Sequence, residues 1–496
     1  MRGTKRPFVL AAILLAMFMA AVEATIVATI MPQIVGDLGQ FSLFSWVFSA
    51  YLLMQVVTIP IYGKLADIYG RKRIFTIGVL IFLIGSVLCG FAPSMAWLIV
   101  FRCIQGLGAG AVQPIATTIV GDIYTKEERS RIQGYLSSVW AIAAVTAPFL
   151  GALLITYVHW SWVFWLNVPI GLISVVGIIL FLKESVPKEK QPIDYKGAAL
   201  LLVATMTLML VLVQEQSFLQ TSTFIWVLLV VSAISLFWFI KHELRTTHPM
   251  MTLPLWRRRT VWTINVGSLF IGAIILSISS FLPTYMQGVL QVSPLIAGLS
   301  LTTLSVGWST SAVVAGKMML KTGFKKTASI GAVALLIGAS LYVLLHVTAQ
   351  VWLAACASLI IGVGMGFCSM TYIVSLQSSV AWNVRGEATA MLMFTRQLGG
   401  VMGVSFLGGL LNARLATELS RMQTSFTEQP SLEKVNQLLN QQSVLPAAEK
   451  TLIANSLSSG LSAVFIAIAI FAVCIFIVNI FVPKGDQKTS SPAAND

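Results

Sequence analysis

The sequence predicts an all-α polytopic membrane protein, with fourteen transmembrane helices arranged as two six-helix bundles plus an inserted two-helix hairpin. Three observations predict it. Of 496 residues, 57% are hydrophobic and only 10% charged, whereas a soluble globular chain carries about 25% charged residues; a water-soluble fold of this size could not cover itself. Apolar stretches of about 20 residues, the length a helix needs to cross a hydrocarbon core, recur along the whole chain. The third observation is an internal repeat.

The expected spans are residues 8–31, 42–62, 74–92, 96–120, 133–157, 163–182, 197–213, 223–240, 261–283, 294–315, 327–346, 351–378, 388–411 and 458–481. The first begins after Arg2, Lys5 and Arg6, a charge pattern shared with cleaved signal peptides. Its apolar run continues to Ile30, beyond a signal peptide's core, so it is expected to be retained as a helix.

A net charge of +14 raises the question of a nucleic-acid partner. With the N-terminus placed in the cytoplasm, most of the 32 basic residues fall in cytoplasmic loops and the tail, and the short outer loops hold none. That is the distribution membrane topology imposes. No nucleic acid is expected, and both termini are expected to be cytoplasmic, in a multi-pass protein of the cell membrane in contact with its lipids.

The five cysteines lie in predicted spans without a CxxC pair, and the four histidines are scattered. No HExxH, GxSxG or GxxxxGK[ST] motif occurs. A metal site, an enzyme and an ATP-driven pump are therefore not expected. Energy is expected from an ion gradient, with no cofactor.

The repeat appears in two places. Gly63-Lys64-Leu65-Ala66-Asp67-Ile68-Tyr69-Gly70-Arg71-Lys72-Arg73 follows the second span, and a similar run from Gly316 to Lys326 follows the tenth, offset by 253. Gly106, Gly108 and Gly110 of the fourth span are echoed by Gly362, Gly364 and Gly366 of the twelfth, offset by 256. The expected organisation is a six-helix bundle over 1–183, an inserted hairpin with its linkers over 184–260, and a second six-helix bundle over 261–483. The last includes an external loop, 412–457, whose stretch Leu432 to Leu439 is amphipathic. Residues 484–496 read as a disordered tail. Parallel six-helix halves with a site between them at the membrane midplane are a transporter design.

Gly63 and Gly70 suit a tight interhelical turn, Asp67 can oppose a positive helix N-terminus, and the Arg71-Lys72-Arg73 cluster suits anionic lipid heads. This segment resembles the major facilitator signature G-x-L-a-D-r-x-G-r-[KR]-[KR]. Within that superfamily the chain resembles the fourteen-helix drug:proton antiporter family of multidrug efflux type. Residues 160–171, WSWVFWLNVPIG, are similar to the family's opening of helix six, and residues 283–298, PTYMQGVLQVSPLIAG, to its P-x-Y-x-Q-x-V-x-G-x-S-P-x-x-A-G stretch. Arg102 to Gly106 is similar to its R-x-x-Q-G, and Glu23 stands where its first helix usually has Asp. In helix five the glycine-rich antiporter signature is reduced to Ala143 through Ala152, keeping Pro148 and Gly151. Small residues at 143, 147 and 151 still permit close helix packing, and Pro148 a bend.

Charge within hydrocarbon is expensive and marks function. Glu23, Arg102 and Arg396 fall well inside the spans, and Glu215 lies at the outer mouth of the hairpin. Arg102 and Gln105 are three residues apart and share a helix face. Glu23 and Arg102 are the candidates for proton coupling; Gln105, Arg396 and Glu215 join them as candidate cavity residues. For a carboxyl like Glu23, burial and a neighbouring cation act in opposite senses on proton affinity, so the balance can be set within a cell's working range.

The resemblance implies that Asp67, Arg71 and Asp122 form a charge network closing the cytoplasmic side. It also implies export of lipophilic or cationic drugs and other amphipathic compounds in exchange for protons, by a monomer. A dedicated exporter of one metabolite, lipid or antibiotic is the alternative, and a non-transporting sensor or scaffold a remoter one.

Overall fold

The computed structural model describes residues 3–40, 43–184, 194–213, 222–246, 249, 251–348, 350–421 and 447–483. Among these there is no strand. The helices are α1 (Arg6–Leu38), α2 (Phe44–Tyr69), α3 (Arg71–Gly90), α4 (Met95–Ile123), α5 (Lys126–Tyr157), α6 (Ser161–Trp165), α7 (Asn167–Phe181), α8 (Tyr195–Val213), α9 (Ser222–Glu243), α10 (Arg259–Gly288), α11 (Pro294–Thr322), α12 (Phe324–Thr348), α13 (Val351–Ser379), α14 (Arg385–Arg421) and α15 (Ala447–Ile480). A helix coincides with each expected span, the short α6 and α7 together filling the sixth.

Among the described residues, twelve helices are long and apolar enough to cross a membrane by length and composition. The two long helices outside that set are α5 and α11, which pack on each other. The helix α11 carries Ser300, Thr302, Thr303, Ser305, Ser309, Thr310 and Ser311, whereas residues 139–156 of α5 are apolar and free of charge. Surfaces that meet across the middle of the molecule need not be as apolar as those facing lipid.

The duplication is visible as packing. In α4, a Cβ at Gly106 would meet Tyr51 O of α2, at Gly110 Thr58 of α2, and at Gly108 the backbone of Phe82 in α3. In α13, Gly362 and Gly366 press on Leu304 and Ser311 of α11, and Gly364 on Leu335 of α12. The same alternation thus sets three helices together twice. Gly70 and Gly323, again 253 apart, both have positive φ, 93° and 83°, which a residue without Cβ adopts at little cost. They turn the chain from α2 into α3 and from α11 into α12.

The halves meet along α2 with α14 and α5 with α11. The hairpin helix α8 lies against both α2 and α14. Met206, Met209 and Leu210 of α8 share one apolar cluster with Leu53, Val56 and Ile59 of α2 and Met393 and Phe394 of α14. At the hairpin's base, His242 Nε2 bonds Asp194 Oδ1 at 2.8 Å.

Two expectations are corrected. Gly63 does not form the turn; it lies inside α2, where a Cβ would sit 2.2 Å from Ala390 Cβ of α14. The loop 412–457 is shortened at both ends, because α14 runs to Arg421 and α15 starts at Ala447. Backbone hydrogen bonding continues where hydropathy stops. Leu432 to Leu439, Glu215 and the tail 484–496 lie outside the described residues. Gly151 is buried in α5; Pro148 is in the same helix, and its side chain lies outside those described.

Candidate functional site

Two buried clusters of charge stand out among the described residues. The first is wholly within the N-terminal half. Glu23 of α1, Ser86 of α3, Arg102 and Gln105 of α4 and Asn167 of α7 are all 0–2% exposed. They form a closed ring. Arg102 Nη1 donates to Glu23 Oε1 and to Gln105 Oε1, the latter at 2.7 Å. Gln105 Nε2 donates to Ser86 Oγ at 3.1 Å, and Asn167 Nδ2 donates to Ser86 Oγ at 2.9 Å and to Glu23 Oε2 at 2.7 Å. Two backbone carbonyls anchor it: Arg102 Nε donates to Val47 O at 3.1 Å, and Ser86 Oγ to Phe164 O at 2.8 Å. The guanidinium also lies 4.2 Å from the Tyr51 ring centroid, a favourable cation–π placement.

The helix glycines permit this ring. A Cβ at Gly85 would meet Gln105 N at 2.4 Å, so α3 and α4 touch beside Ser86 and Gln105. The pairing also answers the cost of a buried charge. An ion removed from water is tolerated when a counter-ion and hydrogen bonds replace its hydration. With both oxygens engaged and no exposure, Glu23 is reached from solution only after the ring opens.

The second cluster joins the halves. Arg71 Nη2 donates to Asp67 Oδ1 at 2.7 Å, and Arg71 Nε lies 3.1 Å from Asp122 Oδ2. From the other half, Arg385 Nη1 donates to Asp122 Oδ1 at 2.7 Å and to Gly121 O at 3.1 Å. Asp67 also accepts the backbone N–H groups of Gly386, 3.1 Å, and Glu387, 2.7 Å. These are free donors at the N-terminus of α14, where a negative charge is favoured. Arg71 donates to Trp382 O at 2.9 Å and stacks over its ring at 4.0 Å. Lys64 pairs with Glu387 at 3.3 Å, and Glu387 accepts both Thr252 N and Thr252 Oγ1 from the linker after the hairpin. Gln377 Nε2 reaches Thr117 O at 3.2 Å, and Ser309 Oγ reaches Ser137 O at 3.3 Å. Apart from Ser309–Ser137, which lies well inside both α11 and α5, these contacts lie toward one end of the bundle.

The structure therefore brings together Glu23, Arg102 and Gln105 in one place, and Asp67, Arg71 and Asp122 in another, with Gly63 and Gly70 beside the second. Arg396 joins neither. It is half-buried in α14, and no hydrogen bond or ion pair from its side chain occurs among the described residues; its carbonyl is where a Cβ at Gly272 of α10 would fall. Sequence reasoning missed several members. Ser86 carries no charge to draw notice, although Asn167 sits in the WSWVFWLNVPIG stretch. Trp382, Arg385 and Glu387 stand just before the thirteenth span, some 320 positions from Asp67. Glu184, expected as a linker boundary, accepts the N–H groups of Arg71 and Lys72, both at 2.9 Å, and so closes the N-terminus of α3.

A duplicated helical bundle, with a sealed ion pair inside one half and an ion-pair seam between the halves, defines a secondary transporter of the membrane. The chain belongs to the Major Facilitator Superfamily, whose family profile matches residues 13–404. It is 32% identical over 494 residues to multidrug resistance protein 3 of Bacillus subtilis (strain 168), covering 98% of this chain and 96% of that protein. It is 32% identical over 414 residues to the multidrug transporter protein MdtP of the same organism, covering 83% and 76%. Among solved structures, the proton:xylose symporter XylE superposes with a TM-score of 0.64 over 97% of each chain at 13% identity, a likeness of fold.

Proposed function

We propose that this protein is a proton-coupled exporter of lipophilic or cationic drugs and other amphipathic compounds, working by alternating access in the cell membrane as a monomer. Both termini are cytoplasmic in this reading, so the Asp67–Arg71–Asp122 seam closes the cytoplasmic side. The observation that carries it is the buried Glu23–Arg102 pair: one titratable carboxylate, deep in the N-terminal half, whose charge is balanced by a fixed cation. The names of the two Bacillus relatives, a multidrug resistance protein and a multidrug transporter, support the substrate class, and no cofactor is needed beyond the proton gradient.

The coupling follows from charge. With the halves joined at the seam, the site opens away from the cytoplasm, and a proton entering from the acidic side neutralises Glu23. Arg102 then holds an uncompensated charge, which disfavours a bound cation. On the cytoplasmic side proton loss restores the carboxylate, and a cationic or polar substrate is bound again. Proton and cargo exclude each other, the minimum requirement for exchange.

Reconstituted protein tests this. Under an imposed ΔpH, Glu23→Gln protein of normal abundance is expected to lose ΔpH-driven export, while Glu23→Asp keeps part of it. Full ΔpH-driven export by Glu23→Gln would place the carrier elsewhere. Orientation has its own test: a cysteine at Tyr157 should label from outside intact cells and one at Lys325 should not; the reverse pattern overturns the topology.

A further inference from the structure

We propose that Asn167, acting with Ser86, is the positioning residue that reads the protonation state of Glu23. This rests on the reading of Glu23 as the proton carrier and adds the device by which the proton is sensed.

The directions of the hydrogen bonds carry it. Glu23 is met only by donors: Arg102 Nη1 at Oε1 and Asn167 Nδ2 at Oε2, the latter at 2.7 Å. Arginine has no acceptor to offer. Asn167 Nδ2 uses both its hydrogens, one on Glu23 and one on Ser86 Oγ at 2.9 Å. Ser86 gives its single hydroxyl proton to Phe164 O at 2.8 Å, and so only receives from Asn167 and Gln105. The ring is complementary to a carboxylate, and at Oε2 it offers the hydroxyl of a carboxylic acid no acceptor.

Other titratable groups do not change this. Arg102 comes from α4, Tyr51 from α2 and Cys89 from α3, the last two uncharged groups that feel both members of the ion pair. The helices α6 and α7 bring no titratable side chain, and α5 carries its charges in its first two turns.

A proton from hydronium adds to Oε2, leaving water, and no other covalent bond changes. The new O–H faces Asn167 Nδ2, donor against donor. Rotation of the Asn167 amide exchanges Nδ2 for Oδ1, which accepts nothing in the ring as it stands. Oδ1 can then accept the Glu23 O–H and the Ser86 O–H together. Ser86 thereby releases the carbonyl of Phe164, in α6 just before the break at Leu166 that separates it from α7. The arrival of one proton becomes a rearrangement at the α6–α7 junction.

Infrared difference spectroscopy of the purified full chain across pH tests this without a transported compound. A protonated-carboxyl band present in the native protein and absent in Glu23→Gln identifies the group; a band that persists in Glu23→Gln overturns the carrier reading itself. In Asn167→Ala the ionised form loses a donor, and the pH at which the band is half-developed should rise by about one unit. Asn167→Asp is isosteric and keeps the packing if the alanine variant fails to fold; a second carboxylate beside Glu23 should raise the midpoint further. A Glu23 band whose midpoint is unmoved in the folded Asn167 variants shows a purely structural asparagine and sinks the proposal.

Discussion

The ring around Glu23 and the seam around Asp122 are both buried and built from the same groups, yet they are finished differently. Among the described residues, no buried side-chain nitrogen or oxygen of the five ring residues lacks a hydrogen-bond partner, whereas in the seam Arg71 Nη1 and Arg385 Nε have none, and Arg71 Nε and Asp122 Oδ2 face each other at 3.1 Å as an ion pair without hydrogen-bond geometry. The ring lies inside one half, so separation of the halves need not break it. The seam lies between halves that must separate, and each orphaned buried group costs about 1–3 kcal/mol. A contact completed to the last hydrogen bond would be a lock; one left incomplete opens at moderate cost.

This contrast can be broken most forcefully in the ring. Arg102→Met leaves an ionised carboxylate buried without its cation and is expected to destabilise the protein by about 3–5 kcal/mol, measured by thermal unfolding in detergent. Adding Glu23→Gln to Arg102→Met should recover most of that loss, because a buried pair removed as a unit costs little. If the single variant unfolds like the native protein, the ring is not a closed unit.

In the seam the effect should appear in turnover rather than in folding. Asp122 faces two arginines, Arg71 and Arg385, so Asp122→Asn is expected to lower turnover on the order of tenfold while equilibrium substrate binding changes little. A conformational equilibrium needs only a few kcal/mol of bias to be reset. Asp67→Asn should be milder, about threefold to fivefold, since an amide still accepts one backbone N–H of α14; weakened binding with normal turnover would indicate substrate contact instead. Lys64→Met should be smallest, about twofold or less, because Glu387 keeps both hydrogen bonds from Thr252.

Much of this was legible in the sequence, for definite reasons. Glu23 and Arg102 stood out because charge is scarce in apolar spans, and Gln105 followed from helical spacing. Asn167 and Ser86 are neutral and short, and nothing local separates a ring member from a packing residue; only the meeting of α3 with α7 does. Asp67 and Arg71 were visible in their loop, but Arg385 and Glu387 become partners only through the duplicated fold that lays α14 against α2. Helix ends were misjudged at Leu38, Arg421 and Ala447 because apolarity ends before the helix does. Arg396 drew notice by the same rule as Arg102, yet the structure leaves it apart from both clusters.

Gly63 has a consequence for the transport cycle as a whole. Its missing side chain is what lets α2 lie against Ala390 of α14, and that contact exists only while the two halves are joined at this end. A single methyl there acts as a doorstop: it charges its steric cost to one conformation and leaves every conformation in which α2 and α14 have separated untouched. The position is thus a graded mechanical control on the conformation in which the halves are joined at this end, adjustable by side-chain volume.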